Sequence, residues 1–384
     1  MFVVFKKLVP FFTILVISVF GYVFYKNSIY LKSDVIKVVQ SASLGGLNRK
    51  TAKEFNLGID AYFSYINDKG GIYGRKIKLV SLDDRYEEGI AAVNAKKLKK
   101  EAIAYFGVTD ICSSKRILEI GVDENTPFLM PYCPCAFLEK RYKNIYYSFT
   151  RFYEDEIEAL VKYLSKKEIK KVAIFYENNS CGRDILNSAK NILKKHHIGI
   201  DVTTPYERNT LLVDEAYKKI SKYEPKALLM FASYRPVAKF LKIAKSGEKY
   251  LNTIFMTTSC VGIDALKEEL KEYSGNLIVT ETVFSPYDKN IPLVNEYQKV
   301  LRLYFPNADF GYESLKGFLY AKILVLALKE AGFNLNGQIL LKSLKNIPYI
   351  KYNKEYLIRA INNDKRLNKI YLLHYKNNNF ITFD

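Results

Sequence analysis

Beyond about residue 34 the apolar positions change period repeatedly. Short runs rich in β-branched residues are each followed by a longer stretch in which apolar residues return every three or four positions. The runs predict strands over 35–40, 76–82, 102–106, 127–130, 145–149, 171–176, 201–204, 227–231, 253–256 and 277–282. The stripes predict helices over 51–67, 88–100, 113–123, 154–166, 183–195, 212–223, 235–245 and 263–273. This near-unbroken alternation is the pattern of parallel sheets covered by helices. After residue 282 helices dominate, over 293–304, 312–331 and 338–344, before strand-like segments at 370–374 and 380–383.

The amino-terminal stretch is different. Residues 8–25 carry no ionised side chain and are flanked by Lys6, Lys7 and Lys26. Roughly 18 apolar residues approach the length that spans a hydrocarbon core and exceed the usual apolar region of a signal peptide. The leading lysines keep that end inside, so the chain after Lys26 is expected to be exported, in contact with the inner membrane through this segment. No small-x-small cleavage site is well marked and no Cys follows for lipid attachment. An uncleaved anchor is therefore preferred over a removed signal.

With 384 residues, 49% of them hydrophobic, the chain is no disordered or fibrous polymer, and its length suggests two compact lobes. No repeat or Pro/Ser-rich linker separates them. The chain must then cross between lobes through ordered segments, with candidates near 150–151, 283–288 and 347–351. The net charge of +19 (59 Lys+Arg less 40 Asp+Glu) raises the question of a nucleic-acid partner. The lysine runs at 95–101, 165–171 and 193–197 fall on helical faces, however, and no nucleic-acid-binding motif accompanies them, so none is expected.

Catalytic signatures are missing. Gly70-Gly71 and Gly74 follow a helix and precede a strand, the reverse of a dinucleotide site, and read as a helix stop and a turn. There is no phosphate-binding loop, nucleophile elbow or HExxH. His196 and His197 end a lysine-rich helix and His374 stands apart, so no metal site is expected of them. Asp83-Asp84 closes a strand, where neighbours point to opposite faces, and reads as a pair of loop-fixing acceptors. Cys112, Cys133, Cys181 and Cys260 each fall just after a predicted strand, with Cys135 close by. An exported chain favours pairing, and Cys112 with Cys133 or Cys135 is the bridge expected first. A soft-metal site on these thiols, or an exported enzyme using Cys181 as nucleophile, are the sharper alternatives. The Cys-Pro-Cys spacing is no standard zinc motif, and no His lies near Cys181 in sequence.

The stretch 58–98, GIDAYFSYINDKGGIYGRKIKLVSLDDRYEEGIAAVNAKKL, resembles the first lobe of type I periplasmic solute-binding proteins of the leucine/isoleucine/valine-binding group. Further correspondences run through 126–138, 148–164, 170–186, 254–270, 276–284 and 312–332. The resemblance implies an α/β fold of two doubly wound parallel-sheet lobes joined by three crossovers, preceded by the hydrophobic helix. Its boundaries would be 1–33 for the signal peptide or anchor, 34–150 plus 285–346 for the amino-terminal lobe, and 151–284 plus 347–384 for the carboxy-terminal lobe. It implies extracytoplasmic capture of a small polar solute by hinge closure, with an ABC permease as partner, and neither catalysis nor a cofactor or metal. Receptors built on the same fold make a membrane-tethered sensor acting on a receptor or kinase the alternative.

Carried over residue by residue, the resemblance places a ligand carboxylate in the DICSS loop, at Cys112 and above all Ser113. Tyr132 and Cys133 stand in the next such loop, a thiol replacing the usual hydroxyl. In the second lobe Cys181 replaces an aromatic, Tyr234 matches a ligand-facing tyrosine, and Ser259 stands where leucine-type binders place a carboxylate for the ligand ammonium. Ser43 and Tyr312 complete the implied ligand-binding set. Without that carboxylate a buried ammonium loses several kcal/mol of hydration, which argues for an amide-like solute or a carboxylate lacking an ammonium. Asp110 or Glu281 could restore the charge, although Glu281 also reads as a crossover residue bonded to backbone.

Overall fold

The β-branched runs build two separate sheets. The computed structural model describes residues 35–123, 125–271, 273, 275–347, 350–353, 356–358 and 369–383; the apolar segment 8–25 lies outside them. Among the described residues no helix is long and apolar enough to cross a membrane.

The first unit runs β1 (Val35–Ala42), α1 (Arg49–Asp68), β2 (Lys76–Asp83), α2 (Glu88–Leu98), β3 (Tyr105–Phe106), α3 (Ile111–Ile120), β4 (Phe128–Leu129), α4 (Ala136–Arg141) and β5 (Tyr146–Tyr147). The second runs α5 (Tyr153–Lys166), β6 (Lys171–Glu177), α6 (Ser180–Lys195), β7 (Gly199–Tyr206), α7 (Asp214–Ile220), β8 (Ala227–Phe231), α8 (Tyr234–Lys245), β9 (Ile254–Thr257), α9 (Ile263–Leu270) and β10 (Leu277–Glu281). There follow α10 (Pro292–Tyr304), α11 (Tyr312–Ala331), α12 (Gly337–Asn346), the hairpin β11 (Ile350–Asn353) and β12 (Tyr356–Ile358), then β13 (Tyr371–Lys376) and β14 (Asn379–Phe383).

The first sheet has the order β2-β1-β3-β4-β5, all parallel, with β1 and β2 in register from Val35↔Lys76 to Ala42↔Asp83. The second has the order β14-β13-β10-β9-β8-β6-β7, whose five parallel strands, from β10 to the edge strand β7, repeat the first topology. Antiparallel β13 and β14 extend it beyond β10. Strands covered on both faces need no alternation, and β8 is buried at all five positions of Ala-Leu-Leu-Met-Phe.

The chain leaves the first sheet after β5, returns after β10 to pack α10 and α11 beside α1 with α12 against α11, and must go back once more to place β13 in the second sheet. Helix α11 is buried along most of its length, as its apolar residues on every side require. Its contact with α1 is backbone to backbone. A Cβ at Gly58 would overlap the carbonyl of Ser314, and one at Gly317 the carbonyl of Phe55. Phe55 then meets Tyr132 and Tyr320 edge to face, each with ring centroids 5.2 Å apart. The stop predicted after α1 is present: Gly70 and Gly71 adopt φ of 93° and 70°, and the Gly71 amide donates to the Ile66 carbonyl at 2.9 Å.

Candidate functional site

In doubly wound sheets ligands bind beyond the carboxyl ends of the strands, where the strand order reverses. Here those points lie between β1 and β3 and between β6 and β8, and they face one another. Residues following β1–β4 and β6–β9 line a partly open cavity of about 60 Å³ between the two lobes.

At its wall lies a buried ion cluster drawn from both lobes. The Arg208 guanidinium, just after β7, donates to Asp110 Oδ2 at 2.8 Å, to Glu177 Oε1, and through Nε to the Tyr86 carbonyl at 3.0 Å. It also lies 3.7 Å from the Tyr86 ring centroid. Glu177 Oε2 accepts from the Tyr86 and Tyr206 hydroxyls at 2.8 and 2.9 Å. Arg208, Glu177 and Tyr206 belong to the second lobe, Asp110 and Tyr86 to the first.

Asp84, at the end of β2, organises the first-lobe side. One carboxylate oxygen accepts from Ser43 Oγ and the Tyr86 amide, the other from Ser41 Oγ and Ser113 Oγ, all between 2.9 and 3.1 Å. Burial first, then the charge of Asp110, pushes the Asp84 carboxyl up to about 6. Asp83 Oδ1 accepts from the Gly45 and Arg85 amides, so both aspartates fix loops, as their strand-end position predicts.

Four helix amino termini approach the cavity. Asp110 caps α3 through the Ser113 amide at 2.8 Å, and Asn179 caps α6 through the Gly182 amide at 2.7 Å. These caps start both helices two or three residues earlier than the apolar stripes predict, which brings Cys112 and Cys181 into first turns. Asn48 and Ser233 occupy the N-cap positions of α1 and α8 but make no capping bond. Both line the cavity and are 4% exposed, yet Asn48 Oδ1 and Ser233 Oγ have no hydrogen-bond partner. A guest group bonding there would also meet the positive ends of the helix dipoles, while Asp110 and Glu177 offer negative charge.

A second buried cluster joins the lobes. Lys316 Nζ, on α11, lies 3.0 Å from Glu281 Oε1, with the two side chains 1% and 0% exposed. Glu281 also accepts from the Thr282 and Val283 amides, which is its crossover role. Glu156 accepts from the Ser259 amide and hydroxyl and from Thr280 Oγ1, at 2.6–3.0 Å. Glu313, on α11, caps α9 of the other lobe by accepting from the Ile263 and Asp264 amides, and Tyr132 Oη donates to Glu313 at 3.2 Å.

The nine residues expected to bind ligand therefore divide. Cys112, Cys133 and Cys181 line the cavity. Ser43 and Ser113 stand behind it on Asp84. Tyr132 and Ser259 belong to the cluster around Lys316. Tyr234 meets the backbone of Lys50, and Tyr312 the Ser285 side chain. The cavity residues that sequence reasoning passed over are Arg208, Glu177, Tyr86, Asn48 and Ser233. Their one signal is position, since each follows or closes a strand.

The expected cysteine pairing is corrected. Cys112 pairs with Cys181 and Cys133 with Cys260, Cα–Cα 5.6 and 5.8 Å, while Cys135 is a free buried thiol whose ionisation burial opposes. Proximity in the first sheet does not decide the partners, because facing strand ends of the other lobe lie nearer. Among the described residues two groups have metal-compatible spacing, Glu88 with Cys112 and Cys181, and Glu54 with Asp264 and Glu313. In the first both sulfurs are bonded to each other, and in the second Glu313 is engaged by backbone amides.

Comparison with known proteins agrees with this geometry. The family model for periplasmic binding proteins matches residues 35–377. A Leu/Ile/Val-binding protein of Citrobacter freundii is 26% identical over 272 residues, covering 68% of this chain and 71% of that one. The corresponding protein of Escherichia coli K12 is 25% identical over 279 residues, covering 70% and 73%. A possible leucine/isoleucine/valine-binding protein from Rhodopirellula baltica superimposes with a TM-score of 0.82 at 23% identity, covering 91% of this chain and 96% of that one. A branched-chain amino acid ABC transporter protein from Thermus thermophilus, solved with bound valine, gives 0.81 at 14% identity, with 92% and 96% covered. These two structures attest the fold. With its matched family model, paired doubly wound sheets and inter-lobe cavity, the chain belongs to the periplasmic binding protein family and is a solute-binding protein, not an enzyme.

Proposed function

We propose that this chain captures a small amino-acid-like or amide-like solute outside the cytoplasmic membrane and delivers it to an ABC-type permease. The observation that carries the reading is the pair of unpartnered, buried polar atoms, Asn48 Oδ1 and Ser233 Oγ, facing one cavity from opposite lobes. A buried polar group without a partner costs about 1–3 kcal/mol, and a guest that bonds to both recovers that cost. The carboxylate missing at Ser259 has a substitute. Asp110 and Glu177, which share the single Arg208 cation, set negative charge beside the cavity for a guest's ammonium; Asn48 Oδ1 accepts from a guest N–H, and the Ser233 hydroxyl can donate to its carboxylate or amide oxygen. The named relatives that bind leucine, isoleucine and valine support an amino-acid class, and two disulfides suit an oxidising compartment.

The test is a thermal-shift panel of amino acids, amides and simple carboxylates, with and without a dithiol reductant. A true ligand at about 100 times its Kd stabilises the fold by about 2.7 kcal/mol. Asn48→Ala, at the same ligand concentration, should cut that stabilisation to about half. A panel in which no compound raises the melting temperature under either condition would sink the reading.

A further inference from the structure

Both disulfides cross from one lobe to the other. Cys112 lies in the first turn of α3 and Cys181 in the first turn of α6; Cys133 follows β4 and Cys260 follows β9. All four residues line the same cavity. A two-lobed binder exchanges its guest by parting the lobes, and two covalent ties on the cavity wall prevent that. The cavity between the lobes, as they stand, does not accommodate a sizeable guest either. Its volume of about 60 Å³ is well under the roughly 150 Å³ that holds a benzene ring.

We infer that the two inter-lobe disulfides are a redox lock on the cleft: solute enters and leaves when they are reduced, and oxidation seals the lobes. This rests on the reading that the cleft takes a solute. The chemistry is thiol–disulfide exchange with a dithiol reductant. Its thiolate attacks one sulfur of a bridge, and the other cysteine leaves as a thiolate and takes up a proton. The reductant's second thiol then displaces the mixed disulfide, so that two electrons pass to the protein and the reductant ends as a cyclic disulfide. The order follows from burial. Cys112, Cys133 and Cys181 are 2%, 4% and 1% exposed, whereas Cys260 is half-buried, so the Cys133–Cys260 bridge opens first, by attack at Cys260. The Cys112–Cys181 bridge becomes reachable as the lobes part. Its two thiolates, at the amino termini of α3 and α6, are stabilised by the helix dipoles and leave readily.

The test uses the full chain, air-oxidised or treated with dithiothreitol, and the quadruple variant Cys112→Ser/Cys133→Ser/Cys181→Ser/Cys260→Ser. Peptide mass mapping should recover the 112–181 and 133–260 pairs from the oxidised protein. Small-angle scattering should show a larger radius of gyration after reduction, and in the variant whether or not reductant is present. Other pairings, or an unchanged radius after both wild-type bridges are shown to be reduced, overturn the lock. Calorimetry with valine and leucine then separates the two claims. Reduced protein should bind at least about 100-fold more tightly, as for a cleft locked in 99% of molecules. Equal affinity in both redox states overturns the lock and leaves the solute reading standing. Expansion on reduction without binding of either amino acid upholds the lock and counts against the amino-acid reading.

Discussion

The clusters around Arg208 and Lys316 use the same materials: one buried cation, acidic side chains and tyrosine hydroxyls contributed by both lobes. They differ in what surrounds them. The Lys316–Glu281 pair is fully buried and away from the inter-lobe cavity: Lys316 and the Thr282 and Val283 amides all meet Glu281 Oε1, while Oε2 has no hydrogen-bond partner. Arg208, Asp110 and Glu177 border a cavity, beside two polar atoms with no partner. A buried charge network set away from the cavity is a joint. One that borders a cavity at strand ends, beside unpartnered polar atoms, is a place for a guest.

Removing the cations should separate the two most strongly. Lys316→Met strands Glu281 where neither water nor another cation reaches, and should cost about 3–5 kcal/mol in denaturant unfolding. Arg208→Met leaves Asp110 and Glu177 next to a cavity that water can enter, so the loss should be smaller, about 1.5–3 kcal/mol. Equal losses would mean that the Arg208 cluster is a joint as well.

A gentler contrast comes from pH. Burial raises Glu156, in the Lys316 cluster, from its ordinary 4.5 to about 7 despite the opposing charge of Lys316, and Asp84, behind the cavity, from 3.8 to about 6. Each carboxyl binds its proton more tightly folded than unfolded. Its contribution is therefore fully present below the ordinary value and is lost as pH rises through the folded one. Stability should fall between about pH 4 and 7, with Glu156→Gln flattening the upper part of the window and Asp84→Asn the lower. A melting temperature that rises over this range, with neither substitution altering the slope, would contradict the assignment.

Much of the fold was legible because period and burial agree. Residues 227–231 and 277–279 are apolar where β8 and β10 are buried, and the stripe at 312–331 becomes α11. Charge was harder to place. Glu177, Arg208 and Tyr86 sit in no motif, and only the facing of two strand-end loops turns them into a cluster. Ser259 shows the same limit from the other side. It occupies the position implied for ligand contact, but its amide and hydroxyl are taken by Glu156, a helix residue 103 positions away. Disulfide partners separated by 69 and 127 residues likewise depend on how the lobes meet, which local spacing does not encode.

The most direct measurement is calorimetric titration of the reduced chain with the amino acid that ranks first in the thermal-shift panel, for wild type, Asn48→Ala and Ser233→Ala. The account predicts one site per chain, with affinity reduced about tenfold by each substitution, as loss of one hydrogen bond of about 1.4 kcal/mol entails. Undiminished affinity in both variants would place the guest elsewhere and contradict it.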